Sequence, residues 1–196
     1  MNDEGRSKTE PTILIVEDDA ELADLYASWL GNRWPVTTVY GGDEALEAIT
    51  ESLSVVLLDR RMPDRSGDDL IDVVRERNSS ARIAMVTAVE PGFDIVEMGF
   101  DDYLLKPVTE YELVGAVEEL LLRSAYDAQM REFYALASKR ALLEQETSPQ
   151  ERTESDEYDE LLAQLRSTRR AVDETLSELS DRGAFSDLCT DLIRAQ

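Results

Sequence analysis

Short apolar runs, each closed by a charged or hydroxyl-bearing residue, recur through the first two thirds of the chain. Ile13-Leu14-Ile15-Val16 ends at Glu17-Asp18, with Asp19 behind them, and Val55-Val56-Leu57-Leu58 ends at Asp59. Met85-Val86 runs into Thr87, and Tyr103-Leu104-Leu105 into Lys106-Pro107. A continuous apolar run of this length reads as a strand buried on both faces, as in a parallel sheet covered by helices. The pattern predicts strands over 12–17, 36–40, 54–59, 82–87 and 102–106. Helical spacing predicts helices over 20–30, 42–51, 67–78, 92–98 and 109–122. Five strand–helix units with right-handed crossovers give an open, doubly wound parallel sheet with helices on both faces. Gly41-Gly42, Ser66-Gly67 and Pro91-Gly92 supply the turns before the second, third and fourth helices.

After Arg123 the pattern changes to helix alone. Gly and Pro are missing between Gly115 and Pro149, so 109–147 forms one long helix or two with a bend near Arg123. Ser148-Pro149-Gln150 is a break, because proline disfavours helix at the residue before it. A second long helix is expected over about 151–182, ending at Gly183. Tyr158, Leu162, Leu165, Arg169, Val172, Leu176 and Leu179 then form one coiled-coil seam, with Arg169 as its polar exception. Met130, Phe133, Ala137 and Ala141 offer a matching face on the preceding helix, and Phe185 to Ile193 is a short amphipathic end. The tail is a helical hairpin or one arm of a dimer.

Ligands of an open parallel sheet bind at the carboxyl ends of its strands, near the point where strand order reverses. Glu17, Asp18, Asp59 and Lys106 all stand at such ends and converge in one crevice. Packed carboxylates repel one another unless a cation sits among them. Mg²⁺, a hard cation with oxygen ligands, suits the set: Asp18 and Asp59 directly, Glu17 through water, and the Arg61 backbone carbonyl as a further donor. Asp59 is the natural nucleophile for phosphorus, forming an acyl phosphate, with Lys106 neutralising the phosphoryl oxygens. The Thr87 hydroxyl is placed to bond a phosphoryl oxygen, and a cis Lys106-Pro107 bond is one way to aim the ammonium inward. Against this stand plainer readings. An acid after a strand can simply cap the next helix, Thr87 can be an ordinary β-branched strand residue, and Tyr103 a half-buried strand aromatic.

Composition narrows the chemistry further. The sequence has no histidine, which excludes a histidine kinase, a phosphohistidine carrier, a Ser-His-Asp hydrolase and any His-ligated metal. Cys189 is the only cysteine, so no intrachain disulfide forms. Twenty basic residues face 43 acidic ones, a net charge of −23. Such self-repulsion keeps a protein soluble and is a compromise suited to concentrated salt. No run approaches the roughly 18 apolar residues of a membrane span, and Met1 to Glu10 is polar rather than signal-like. The expectation is a cytoplasmic protein without membrane contact.

These motifs, in order and spacing, resemble the receiver domain of two-component response regulators. Ile-Leu-Ile-Val-Glu-Asp-Asp, Leu-Leu-Asp-Arg-Arg-Met-Pro-Asp-Arg-Ser-Gly, Val-Thr-Ala and Asp-Asp-Tyr-Leu-Leu-Lys-Pro carry the resemblance, which covers 11–123. It implies a flavodoxin-like (CheY-like) fold, with Glu17 and Asp18 as the acidic pair and Asp59 as phosphoacceptor. It likewise implies Thr87 and Tyr103 as a switch pair, Lys106 as the phosphate-contacting lysine, and a sensor histidine kinase as partner. Many receivers begin Asp-Asp where this chain has Glu17-Asp18, and Arg60-Arg61 adds positive charge beside the site. Residues 127–144 and 172–179 are similar to the HalX domain found behind receivers in halophilic archaea. The division expected is a polar tail over 1–10, a receiver over 11–123 and a helical HalX-type domain over 124–196.

Two functions fit. One is a phosphorylation-controlled transcriptional regulator, with a homodimer set by the tail. The other is a phosphorylation-dependent protein-interaction module without DNA contact. Residues 124–196 carry 16 acids against 9 bases, which does not support DNA binding by charge, since DNA phosphates call for lysine and arginine. In either case the chemistry is self-directed and its product is a signal, not the turnover of a stand-alone enzyme.

Overall fold

Five parallel strands carry the first part of the chain: β1 (Thr12–Val16), β2 (Val36–Val39), β3 (Leu53–Leu58), β4 (Arg82–Thr87) and β5 (Asp102–Leu105). They lie in the order β2-β1-β3-β4-β5, the flavodoxin-like order, which reverses direction between β1 and β3. The structure, a computed structural model, describes residues 10–182. The chain divides into two compact units, Met1–Leu121 and Leu122–Gln196.

Alternate residues of each strand feed two separate cores, as the pleat requires. Leu14, Val16, Val56, Leu58, Ile83 and Met85 pack with Ala45 and with Leu70, Ile71 and Val74. Those partners lie on α2 (Gly42–Ala48) and α3 (Gly67–Arg77). Ile13, Ile15, Val55, Leu57, Ala84 and Val86 pack on the other face with Tyr26, Leu30, Leu113, Val117 and Leu120. These belong to α1 (Ala20–Leu30) and to the start of α4 (Glu110–Glu146). Each fully buried leucine or isoleucine contributes about 1.5–3 kcal/mol, so both faces are needed. A Thr109–Glu112 capping box starts α4: the Thr109 hydroxyl accepts the Glu112 N–H at 3.3 Å, and the Glu112 carboxylate accepts the Thr109 N–H at 2.8 Å.

Three expected helices change. No α-helix forms over 92–98; a 3-10 segment, Phe93–Glu97, takes its place and has no buried residue. Phe93 is 99% and Val96 79% exposed, so the segment lacks the apolar stripe that would stabilise a helix against the sheet. The second helix ends at Ala48 rather than 51, because Ile49 turns extended. The long helix expected over 151–182 is two: α5 (Pro149–Thr153) and α6 (Asp156–Asp181). Pro149 does not merely break the chain; it opens α5 behind a Ser148–Glu151 capping box. Ser155 then accepts the Tyr158 N–H at 3.1 Å and starts α6 afresh.

In the second unit, α4 beyond Leu121 and α6 form an antiparallel hairpin. Tyr158 donates to the Glu144 carboxylate at 3.1 Å, while Phe133, Ala137 and Ala141 share a groove with Leu165 and Arg169. The seam keeps Tyr158, Leu165, Val172 and Leu179 but passes through Leu161 and Thr175 instead of Leu162 and Leu176. Leu161 and Thr175 are 9% exposed and Leu176 is 37%, while Arg169 is out in solvent. The two seams coincide at every seventh residue and differ by one residue at the positions between, where the buried Thr175 disguised the true seam as polar. Phe185 to Ile193 and Cys189 lie outside the described residues. No helix among the described residues is long and apolar enough to cross a membrane.

Candidate functional site

Strand register assembles the site. Val16 pairs with Val39 and Leu58, Leu58 with Met85, and Thr87 with Leu105, so β1, β2 and β3 finish level and β4 and β5 run two residues beyond them. The ladder continues one residue further: Glu17 N–H donates to Val39 O at 3.2 Å, Asp59 N–H to Val16 O at 2.9 Å, and Lys106 N–H to Thr87 O at 2.9 Å. Each chemically active residue is therefore anchored by its own backbone to the neighbouring strand.

The side chains converge as that register dictates. Lys106 Nζ stands 2.6 Å from Asp59 Oδ2 and 2.7 Å from Glu17 Oε2. Glu17 and Asp59 are buried, whereas Asp18 is exposed at the rim. Burial pushes the Glu17 carboxyl up, against the lowering effect of Lys106, and Asp59 adds to the rise. Burial alone would lower the Lys106 ammonium, but Asp59 and Glu17 outweigh it and hold it above its ordinary value. Glu17, Asp18 and Asp59 each offer an oxygen, all within 4.8 Å of one another. An all-oxygen donor set carrying two carboxylates more than its lysine neutralises fits a hard divalent cation. Asp19 has the plainer role: its carboxylate accepts the Glu21 and Leu22 N–H groups and caps α1.

An open cleft of about 460 Å³ lies beside this centre, lined by Asp59, Arg61, Thr87, Ala88, Val89 and Glu90. Thr87 and Tyr103 meet at one residue there. The Thr87 hydroxyl accepts the Val89 N–H at 3.4 Å, and the Tyr103 hydroxyl donates to the Val89 carbonyl at 2.7 Å. The Arg61 N–H donates to Asp59 Oδ1 at 3.3 Å, while its guanidinium makes no ion pair among the described residues. The Lys106-Pro107 bond is cis.

The supporting contacts of three residues escaped the sequence reading. Gly41 has no side chain to cap α2, so Asp64 from the loop after β3 does so, accepting the Gly42 and Asp43 N–H groups at 3.1 and 2.9 Å. Those amides, Asp43 foremost, hold its carboxyl down at about 2. Arg60 makes a two-pronged pair with Asp68 and a second with Asp94, and Asp94 first and Asp68 second hold its guanidinium above the usual value. Gly67 lies against the backbone of Asp59 itself. A Cβ there would sit 2.3 Å from the Asp59 carbonyl oxygen and 3.0 Å from Arg60 Cα. Neither atom can rotate aside, so Gly67→Ala is expected to destabilise the protein by roughly 1–3 kcal/mol and to displace Asp59. A thermal melt checks the first effect, and an unchanged melting temperature would show that the loop yields freely.

The response regulator receiver domain family matches residues 13–118, more than half of the chain. The chain belongs to that family. Behind the receiver, the HalX domain family matches residues 122–189. A Haloferax volcanii protein bearing the provisional name of transcriptional regulator is 48% identical over 164 residues, covering 83% of this chain and 27% of its own length. The transcriptional regulatory protein CpxR of Escherichia coli K12 is 34% identical over 123 residues, covering 61% of this chain and 53% of its own. The chain thus spans about half or less of these relatives. Among solved structures, the receiver domain of a Francisella response regulator superimposes with a TM-score of 0.53 at 29% identity, over 58% of this chain and 98% of that one. The receiver has the CheY-like fold, and its family is one of regulators rather than classical enzymes.

Proposed function

We propose that this receiver is the phosphoacceptor of a two-component relay and that Asp59 takes a phosphoryl group from a phosphohistidine on a partner sensor kinase. The observation that carries the reading is Lys106 held at 2.6 Å from an Asp59 carboxylate in a nest of two further acids. One Asp59 oxygen attacks phosphorus in line. The new O–P bond forms as the P–N bond to the kinase imidazole breaks, and the electron pair stays on the ring nitrogen. Lys106 shifts its ammonium from carboxylate to phosphoryl oxygen, and Thr87 donates to a second oxygen. Magnesium, held by Glu17, Asp18, Asp59 and the Arg61 carbonyl, would neutralise the remaining phosphoryl charge.

Thermal melts test the metal assignment. The melting temperature is expected to climb with magnesium concentration, by the equivalent of about 2.7 kcal/mol at a hundredfold excess over Kd. Asp18→Asn is expected to melt independently of magnesium, and an equal climb in that variant would remove Asp18 from the ligand set.

A phosphate adds a charge of about −1.5 to −2. Drawing the Thr87 hydroxyl to it breaks the bond to the Val89 N–H and frees the Val89 carbonyl that holds Tyr103. The Tyr103 ring can then turn, and the change is passed to the helical output unit, with pairing of two chains as one outcome. Relatives named as transcriptional regulators support transcription as the output. The net charge of −7 over 124–196, from 16 acids and 9 bases, favours instead a protein-docking output. Selection from random duplex DNA in molar KCl, with beryllofluoride-loaded protein beside Asp59→Ala, separates them. One motif enriched by the loaded form alone supports a phosphorylation-gated transcription factor; enrichment by neither supports the docking module.

A further inference from the structure

Arg60 follows the proposed phosphoacceptor, yet its side chain takes no part in the chemistry above. Its side chain is 13% exposed, more sheltered than a charge adopts without a reason. Nε reaches Asp68 Oδ1 at 3.1 Å and Nη2 reaches Asp68 Oδ2 at 3.2 Å, a bidentate grip on the first turn of α3. The same Nη2 also pairs with Asp94, in the 3-10 segment Phe93–Glu97. That segment buries no residue. Among the described residues, the Arg60–Asp94 pair is the one side-chain hydrogen bond or ion pair that ties it to the rest of the unit. The segment follows Thr87–Glu90, which line the Asp59 cleft after β4, by two residues, and Arg60 lies in the chain between Asp59 and Arg61, which line the same cleft after β3.

We propose that Arg60 is a positioning residue: by gripping Asp68 and Asp94 together, it fixes the spacing of the two segments that line the cleft. The tether holds the crossover where the Val89 carbonyl receives the Tyr103 hydroxyl, and so favours the resting arrangement of that pair. The first arm of the test is independent of the reading of Asp59 as phosphoacceptor; the second rests on it.

Hydrogen exchange of the full chain in molar KCl, without any phosphoryl analogue, decides the tether. Asp94→Asn is the lead variant, since Asp94 is half exposed and its loss leaves Arg60 paired with Asp68. Exchange of the amides in 91–98 is expected to rise roughly two- to fivefold, the range of a partly exposed ion pair. Arg60→Met should raise it at least as much, and the double variant no further than Arg60→Met, because both changes cut one link. Arg60→Lys should restore part of the protection. Unchanged exchange in Asp94→Asn, or additive effects in the double variant, would overturn the proposal. In the second arm, Asp94→Asn should bind beryllofluoride roughly two- to fivefold more tightly, as a resting state loosened by that factor requires. If the wild type binds none, the phosphoacceptor reading falls while the exchange result still decides the tether.

Discussion

Asp59→Asn is expected to fold, to melt within a few degrees of the wild type, and to take up no phosphoryl group from a small-molecule donor. The loss is complete because the side-chain amide has no nucleophilic oxygen of comparable basicity, and a covalent step has no partial substitute. The fold survives because Asp59 is anchored through its backbone to Val16, and Lys106 keeps Glu17 as its partner. Mass spectrometry after exposure to acetyl phosphate and magnesium reads the result. Retained uptake in Asp59→Asn would move the acceptor elsewhere and dismantle the assignment of the neighbouring acids.

Lys106→Met is expected to produce the largest change in stability, together with loss of phosphoryl uptake. The ammonium neutralises two carboxylates whose side chains are only 3% and 10% exposed. Removing one partner of a buried pair leaves an uncompensated charge and costs about 3–5 kcal/mol; the solvated rim at Asp18 puts this site at the lower end, about 3 kcal/mol. The pH dependence has a definite sign. Glu17 is already raised by burial, and without Lys106 it rises further. A carboxyl whose folded value lies above its unfolded one destabilises the protein at high pH and regains stability as pH falls through the folded value. The variant therefore gains stability from pH 7 towards pH 5. The wild type gains less over this range, because Lys106 opposes the rise of Glu17; Asp64 and Asp101, whose folded values are lowered, lose their contribution only at lower pH, as it falls from the ordinary carboxyl value through the folded one. Thermal melts across this range check it, and parallel pH profiles for the two proteins would show that Lys106 does not hold the buried acids.

The sheet was legible in the sequence because runs such as Ile13–Val16 and Val55–Leu58 are apolar on both faces and stop at a charge. Once parallel order is assumed, the placement of Glu17, Asp59 and Lys106 follows from register, with no knowledge of contacts. Residues that act across loops were not legible. Asp64 caps a helix that begins 22 residues earlier, and no local pattern announces a cap supplied from another loop. Arg60 reads as an exposed charge until Asp68 and Asp94 are seen to converge on it. The Ser66-Gly67 pair announced a turn, but the reason for glycine, its contact with the Asp59 carbonyl, is tertiary. The 92–98 helix failed on a weak signal: Phe93 and Val96 look like an apolar face yet point to solvent. The α6 seam failed through Thr175, a polar residue that is nevertheless buried, while the leucine beside it, Leu176, is not.

The most direct test of the central claim is peptide mapping of the wild-type chain after incubation with acetyl phosphate, with and without magnesium, followed by hydroxylamine. One phosphoryl group on the peptide bearing Asp59, present only with magnesium and discharged by hydroxylamine to leave a hydroxamate at Asp59, is the predicted result. A modification on any other residue, or equal labelling without magnesium, would contradict the account.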